Sequence, residues 1–297
     1  MIAATLRGCG TALVTPFTRD GSVDERALRA LVDWQIDEGI HFLVPCGSTG
    51  EAATLTAAEH RRVVEIVVEQ AGGRVPICAG AGSNDTRRAI AQSKEMEAAG
   101  ATHLLHVSPM YNKPPQRGLV AHFRAIADAT SLPIVIYNVP GRTGGNIEAR
   151  TTLELAGVSN IVAVKEASGN LAQIGEIIRS RPEGFLVLSG DDALTLAVMG
   201  AGGDGVISVI SNATPRAMAQ LTERMAAGDL AGARTIHDSL WSWMQTAFIE
   251  SNPIPAKRAL ALMGRIQDEL RLPLVPLAPV HEAAVRASLV QAGALAA

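Results

Sequence analysis

Residues 133–165 read PIVIYNVPGRTGGNIEARTTLELAGVSNIVAVK, and this stretch decides the fold. Two short apolar runs, 133–138 and 161–165, stand at its ends, and a longer amphipathic segment lies between them. Near-continuous apolar runs are typical of parallel strands that are covered on both faces. A strand, a helix and a second parallel strand together need roughly thirty residues. The stretch therefore predicts two parallel strands joined by a helix.

The same alternation extends in both directions along the chain. The apolar runs are residues 10–16, 41–45, 75–79, 103–107, 133–138, 161–165, 185–189 and 206–209. Helix start signals lie between them at Ser22, at Thr56 with Glu59 three residues later, and at Asp85. Residues 80–85 supply only two glycines of a dinucleotide loop, so we interpret them as a tight turn. Eight such units predict an α/β fold, a closed (β/α)8 TIM barrel.

After the eighth run the pattern is helical only. The predicted helices are residues 215–227, 229–248, 256–263 and 280–292. The first would complete the barrel, so we divide the chain into a catalytic barrel, residues 1–225, and a C-terminal helical extension packed on it, residues 226–297. Two prolines in the sequence NPIP, residues 252–255, separate two of these helices.

Composition excludes several classes of function. The chain has 297 residues, 47% of them hydrophobic, and 26 basic against 29 acidic residues give a net charge of -3. This balance argues against a nucleic-acid partner. No run approaches the roughly 20 apolar residues of a membrane span, and residues 1–10 lack a leader pattern, so we expect a cytoplasmic protein. The three cysteines form no metal-binding motif, and we expect neither a metal nor another cofactor.

Polar residues collect where the predicted strands end, which is where barrel enzymes build their active sites. These ends are residues 47–51, 109–112, 137–142, 165–166 and 190–192. Lys165 follows four apolar residues, so its amine should be desolvated and partly neutral, which makes it a candidate nucleophile. The alternative is a strand-terminal lysine that is paired with Glu166 or Asp191.

The chain has two tyrosines, Tyr111 and Tyr137, and both stand at predicted strand ends. With a hydroxyl such as Ser48 they could transfer protons, and the alternative is that both tyrosines are structural. The glycine-rich turn 47–51 could hold a carboxylate, and Arg142 could hold a second one unless it is a surface arginine. Two carboxylate sites beside a nucleophilic lysine would suit the condensation of two small oxo acids.

At this point the motifs identify a resemblance that runs almost from end to end. The chain resembles the dihydrodipicolinate synthase family of the N-acetylneuraminate lyase superfamily of class I aldolases. The matching motifs are TALVTPF (11–17), GSTGE (47–51), YNVPGRTG (137–144), KEASGNL (165–171), SGDD (189–192), GVIS (205–208) and NPIPAK (252–257).

The resemblance implies roles for individual residues. Lys165 would form a Schiff base with pyruvate, and Tyr137 would be the general acid and base. Ser48 and Tyr111 would complete a proton relay, with Tyr111 reaching in from a neighbouring subunit. Pyruvate contacts would come from Thr49 and the backbone of Ile207, and Arg142 would hold L-aspartate-4-semialdehyde. The implied product is 4-hydroxy-tetrahydrodipicolinate, for lysine and diaminopimelate biosynthesis, and the implied assembly is a homotetramer, a dimer of dimers.

Two departures from the family pattern bear on specificity and regulation. Ser48 stands where the synthases usually have threonine, so another pyruvate-dependent class I aldolase or dehydratase remains an alternative. A barrel that binds a small acid without turnover is a third one. At the positions of the lysine-feedback pocket stand Met110, Ala57 and Arg88, beside His60 and Asn84. Arg88 would repel the ammonium group of lysine, so we predict weak or absent feedback inhibition.

Overall fold

We describe residues 6–296 in a computed structural model. Part of the segment 1–10, in which the sequence analysis finds no leader, lies outside this range. The eight strands are β1 (Gly8–Ala12), β2 (Phe42–Val44), β3 (Cys78–Gly80), β4 (His103–Val107), β5 (Ile134–Asn138), β6 (Ile161–Glu166), β7 (Leu186–Ser189) and β8 (Gly205–Ser208). All eight predicted strands are confirmed, with ends that differ by a few residues.

Helices follow the strands as predicted. They are α1 (Glu25–Asp37), α2 (Ala57–Ala71), α3 (Thr86–Ala98), α4 (Gln116–Ala127), α5 (Pro140–Thr143), α6 (Ala149–Leu155), α7 (Leu171–Ser180), α8 (Thr195–Gly200), α9 (Pro215–Ala226), α10 (Leu230–Thr246), α11 (Ile254–Leu262) and α12 (Glu282–Gln291). The capping box of Thr56 and Glu59 starts α2, and Asp85 caps α3. The start signal at Ser22 is wrong, because α1 is capped by the Asp24 side chain, which accepts from the Ala27 N–H.

The strands close into a barrel. They are all parallel, in the order β2-β1-β8-β7-β6-β5-β4-β3, and a parallel bridge between Leu43 and Ile77 joins the two ends of this order. At the same seam the Gly80 N–H donates to the Pro45 carbonyl at 2.9 Å. The protein is therefore a (β/α)8 TIM barrel, as the sequence predicts.

Alternate strand residues face two separate apolar cores. The outward residues pack against the ring of helices, whereas the inward ones fill the barrel. The inner core includes Ala12, Phe42, Val44, Cys78, Leu105, Val135, Tyr137, Ala163, Leu186, Leu188 and Ile207. Gly10 leaves room for Phe42, since a Cβ at Gly10 would lie 2.0 Å from the ring. The inner core thus supports the residues at the carboxyl ends of the strands.

The helices that follow α9 pack on the outside of the barrel and reach its mouth. Helix α10 contacts α8, α9 and α12, and Trp243 donates from its indole N–H to the Ile210 carbonyl at 3.3 Å. The segment between α10 and α11 brings Asn252 into the barrel mouth. The division of the chain at residue 225 stays a prediction.

Candidate active site

A cavity of about 330 Å³ opens at the carboxyl ends of the strands. Its size suits a small ligand. Five of the seven predicted site residues line it: Ser48, Thr49, Tyr137, Arg142 and Lys165. The other two, Tyr111 and Ile207, do not.

Lys165 projects from β6 into the barrel rather than toward the helices. It pairs in register with Tyr137 of β5, and its Nζ lies 4.3 Å from the centroid of the Tyr137 ring. In the described part of the chain no carboxylate oxygen lies within 4.0 Å of this amine. Glu166 points the other way and accepts from Asn138 and Gln173. The alternative of a lysine that is paired with Glu166 or Asp191 is therefore wrong.

Burial changes the acidity of both residues. It lowers the pKa of Lys165 to about 8, an effect that the Asp192 carboxylate partly opposes and the Arg142 guanidinium reinforces. Burial also raises the pKa of Tyr137 to about 12, and here the positive charge of Arg142 opposes the effect of burial. Desolvation thus favours a neutral amine beside a phenol that keeps its proton. A buried amine with a lowered pKa and a phenol with a raised pKa therefore lie next to each other.

Gly190, at the end of β7, gives Lys165 its space. A Cβ at this position would lie 3.1 Å from Lys165 Cε, 3.2 Å from Lys165 Cγ and 2.6 Å from Ala167 Cβ. Carbon atoms in contact are usually 3.5–4.0 Å apart. A side chain at this position would crowd both Ala167 and Lys165, so glycine leaves the space that the lysine side chain occupies.

Residues 47–49 of the turn 47–51 line the cavity. The N–H groups of Gly50 and Glu51 bond within the turn, to Gly47 and Ser48. Within residues 6–296, the N–H groups of Ser48 and Thr49 find no acceptor. Two adjacent unused N–H groups and two hydroxyls suit a carboxylate ligand. The side chain of Thr49 is buried, while Ser48 is exposed.

Arg142 lies in the short helix α5 at the rim of the cavity. One of its terminal nitrogens, Nη2, donates to the Asn252 carbonyl at 3.3 Å. Asn252 also donates from Nδ2 to the Thr49 hydroxyl oxygen at 2.8 Å. Sequence reasoning missed both Asn252 and Gly190 as site residues, although both stand in motifs that were noted, NPIPAK and SGDD.

Tyr111 and Ile207 lie elsewhere. Tyr111 is 89% exposed, with a positive φ of 72°, and its N–H donates to the Thr143 carbonyl at 3.3 Å. Ile207 is buried in β8 within the inner core. The roles predicted for these two residues stay predictions.

A second cavity of about 460 Å³ adjoins the first and shares Ser48, Tyr137 and Arg142 with it. His60 and Met110, two positions of the expected feedback pocket, line it. Arg88 is exposed on α3, 3.9 Å from the Asp85 carboxylate. Ala57, Asn84 and Arg88, the other named positions of that pocket, do not line this second cavity.

Residues 6–296 contain no group of three or more histidine, cysteine and acidic side chains that could hold a metal ion. Cys9, Cys46 and Cys78 are buried as free thiols, and burial raises the pKa of each. In the same range, no helix is both long and apolar enough to span a membrane.

Known proteins are similar to this chain in sequence and in architecture. A model of the dihydrodipicolinate synthetase family matches residues 5–292. A 4-hydroxy-tetrahydrodipicolinate synthase of Koribacter versatilis is 52% identical over 291 residues, which are 98% of this chain and 97% of that protein.

Two solved structures are also similar. One is a chloride-inhibited dihydrodipicolinate synthase of Acinetobacter baumannii complexed with pyruvate, with a TM-score of 0.96, 42% identity, and coverage of 98% of this chain and 100% of that one. The other is the Cyanidioschyzon merolae enzyme with lysine bound, with a TM-score of 0.95, 41% identity, and coverage of 97% and 99%. Fold and sequence agree, and the chain belongs to the dihydrodipicolinate synthetase family.

Proposed function

We propose that this chain is a lyase-type synthase that condenses pyruvate with L-aspartate-4-semialdehyde to give 4-hydroxy-tetrahydrodipicolinate. The observation that carries the proposal is Lys165, a buried amine without a carboxylate partner in residues 6–296, its pKa lowered to about 8, beside the Tyr137 phenol. Such an amine is neutral in a useful fraction of molecules near neutral pH. It can attack a ketone directly.

The chemistry begins when Lys165 Nζ adds to the pyruvate ketone. The resulting carbinolamine loses water, which leaves an imine between Nζ and the keto carbon. Loss of a methyl proton turns the imine into an enamine, whose carbon attacks the aldehyde and forms the new carbon–carbon bond. The amino group of the second substrate then displaces Lys165 from the imine and closes the ring, which releases the free amine.

Tyr137 is the proposed proton carrier for these steps. Its raised pKa keeps the phenol protonated at neutral pH, so it can donate to the departing hydroxyl of the carbinolamine. Ser48 lines the same cavity and is the proposed next member of the relay. Its hydroxyl supplies both a donor and an acceptor.

Two groups of donors are the proposed carboxylate anchors. The turn that carries Ser48 and Thr49 has two unused N–H groups for the pyruvate carboxylate, and the backbone of Ile207 is the predicted further contact. Arg142 is the proposed anchor for the carboxylate of the aldehyde. Its Nη2 bond to Asn252 leaves other guanidinium N–H groups for that ligand.

The proposed assembly is a homotetramer, a dimer of dimers, in which Tyr111 serves the site of a neighbouring copy. The support is the position of Tyr111: its ring is almost fully exposed and lies outside the cavity of its own chain. Tyrosine is among the residues enriched in the cores of protein–protein interfaces. Sedimentation of the wild type and of Tyr111→Ala tests the assembly, because loss of a contact would shift the distribution to smaller species.

The second candidate is a pyruvate-dependent aldolase or dehydratase for another aldehyde, and Ser48 is the observation that favours it. A coupled assay of pyruvate with L-aspartate-4-semialdehyde, beside N-acetylneuraminate cleavage, separates the two functions. Lys165→Ala is the control. We expect condensation in the wild type and none in the variant. A borohydride-stable pyruvate adduct without condensation would support the second candidate, and no adduct at all would leave a barrel that only binds a small acid.

A further inference from the structure

Asn252 joins the two proposed carboxylate anchors. It lies in the segment between α10 and α11, it is buried, and it lines both cavities. Its side-chain nitrogen donates to Thr49 Oγ1 at 2.8 Å, and its main-chain oxygen accepts from Arg142 Nη2 at 3.3 Å. A single residue far along the chain therefore contacts both sides of the site.

The direction of the hydrogen bond to Thr49 has a chemical consequence. An amide nitrogen only donates, so the Thr49 oxygen is the acceptor and its own proton remains available. In the described chain this hydroxyl has no other partner, and Thr49 lines the cavity. The proton is thus left for an acceptor that enters the cavity, such as a carboxylate.

The orientation of the Asn252 amide supports this assignment. Its Oδ1 is buried without a partner. The reversed orientation would place an NH₂ group with two donors in the same pocket and would also consume the Thr49 proton. Each orientation leaves two hydrogen-bonding positions of this amide without a partner in the described chain, and the observed one, with Nδ2 on Thr49, is the one that leaves the Thr49 proton free.

The segment that carries Asn252 is held against the same turn at a second point. Lys257 of α11 is completely buried, and its Nζ forms an ion pair with the Glu51 carboxylate. The other Glu51 oxygen, Oε2, accepts a hydrogen bond from the main-chain N–H of Arg271 at 3.1 Å. The turn 47–51 is therefore bound to the C-terminal segment both at Thr49 and at Glu51, which limits movement of Asn252 relative to Thr49.

We propose that Asn252 is a positioning residue that fixes the Thr49 hydroxyl as a hydrogen-bond donor to the carboxylate of the oxo-acid substrate. The inference rests on the proposed function, since it takes pyruvate as the ligand of this turn. It assigns Asn252 to pyruvate recognition rather than to bond making. Loss of the amide should therefore weaken pyruvate binding and leave the chemistry on Lys165 intact.

The test compares Asn252→Asp, Asn252→Ala, Thr49→Val and the double variant Asn252→Ala/Thr49→Val. Asn252→Asp keeps the shape and replaces the donor by an acceptor, which would draw the Thr49 proton away from the cavity. Gln267→Ala is the matched control, because it removes an exposed amide of the C-terminal segment that does not contact Thr49. Borohydride labelling of Lys165 is followed against pyruvate concentration by mass spectrometry, so no aldehyde is needed.

We expect Asn252→Asp to raise the half-saturating pyruvate concentration about tenfold, the loss typical of one hydrogen bond to a charged group. Maximal labelling should stay unchanged. The double variant should be no worse than Thr49→Val alone, because both changes remove the same donor. Asn252→Ala should match Thr49→Val if it folds, and Asn252→Asp carries the test if it does not.

The inference would be overturned if Asn252→Asp were half-saturated at the same pyruvate concentration as the wild type. It would also be overturned if the increases in half-saturating concentration of the two single variants multiplied in the double variant. Reduced maximal labelling at unchanged half-saturation would also overturn it, since Asn252 would then act on the chemistry. If the wild type itself is not labelled, the proposed function fails and the inference falls with it. If the wild type is labelled and the variants behave like it, the inference about Asn252 fails while the proposed function stands.

Discussion

The substitution Gly190→Ala tests whether the space around Lys165 is required for its chemistry. The added methyl group would stand 3.1 Å from Lys165 Cε and 2.6 Å from Ala167 Cβ. To restore normal contacts, Ala167 would have to move by about 1 Å and the Lys165 side chain by a few tenths of an ångström, which together would displace the strand end that carries the amine. Overpacking of this kind costs about 1–3 kcal/mol of stability, and a displacement of about 1 Å in a catalytic group can cost about 100-fold in rate.

We therefore expect Gly190→Ala to remain folded, with kcat/KM for pyruvate reduced about 100-fold. The measurements are the coupled assay, the rate of borohydride labelling at subsaturating pyruvate, and the free energy of unfolding in urea. The matched control is Gly175→Ala in α7, where a Cβ would meet no atom within 4 Å. Replacement of a helical glycine by alanine should stabilise the protein by about 0.5–1 kcal/mol and leave the rate unchanged.

An unchanged labelling rate in folded Gly190→Ala would refute the reasoning, because Lys165 would then react equally well from another rotamer. The reasoning would also be refuted if the loss of rate were fully explained by a smaller fraction of folded protein. The two cases are separated by the urea measurement made on the same samples.

Three further predictions follow from charges in the molecule. In the proposed reaction Lys165 attacks as a neutral amine, and burial lowers its pKa to about 8. Labelling by subsaturating pyruvate should therefore rise about tenfold per pH unit below pH 8 and level off above it; a flat profile from pH 6 to 9 would contradict this. Burial lowers the pKa of His106 to about 3 and that of His122 to about 4. The unfolded chain therefore binds more protons below pH 6.5, and the free energy of unfolding should fall by up to ~1.4 kcal/mol per pH unit for each histidine between pH 6.5 and 4, with a smaller slope in His122→Gln; equal slopes in urea titrations would rule out His122 as a source. Finally, 1 mM L-lysine should leave most of the activity intact because of Arg88, and half-inhibition at sub-millimolar lysine would show that the pocket tolerates this charge.

The barrel could be predicted from sequence because each strand is covered on both faces and therefore appears as an apolar run. The ends were less certain, as β1 begins two residues before the predicted 10–16 run. The start of α1 was assigned to Ser22, whereas Asp24 is the cap. Both residue types favour that position, and only the bond to the Ala27 N–H decides between them.

Most of the candidate site also followed from one rule, that barrel strands carry their functional residues at the carboxyl ends. Lys165 and Tyr137 were found in this way, and their side-by-side register agrees with it. Asn252 could not be found by that rule, because it lies after the barrel and reaches Thr49 across 203 positions of sequence. Such a contact depends on how α10 and α11 pack, which periodicity does not reveal.

The pairing of Asn252 with Thr49 suggests how this protein could evolve. The reacting lysine belongs to a strand of the barrel, whereas the hydroxyl proposed to recognise the substrate is oriented by a residue outside it. Exchange of Asn252, with the buried pair of Lys257 and Glu51 kept, could therefore change substrate preference while the strands, and with them the proposed covalent chemistry, stay as they are. The appended helices would then serve as an adjustable element, on which selection can act without disturbing the inherited reaction.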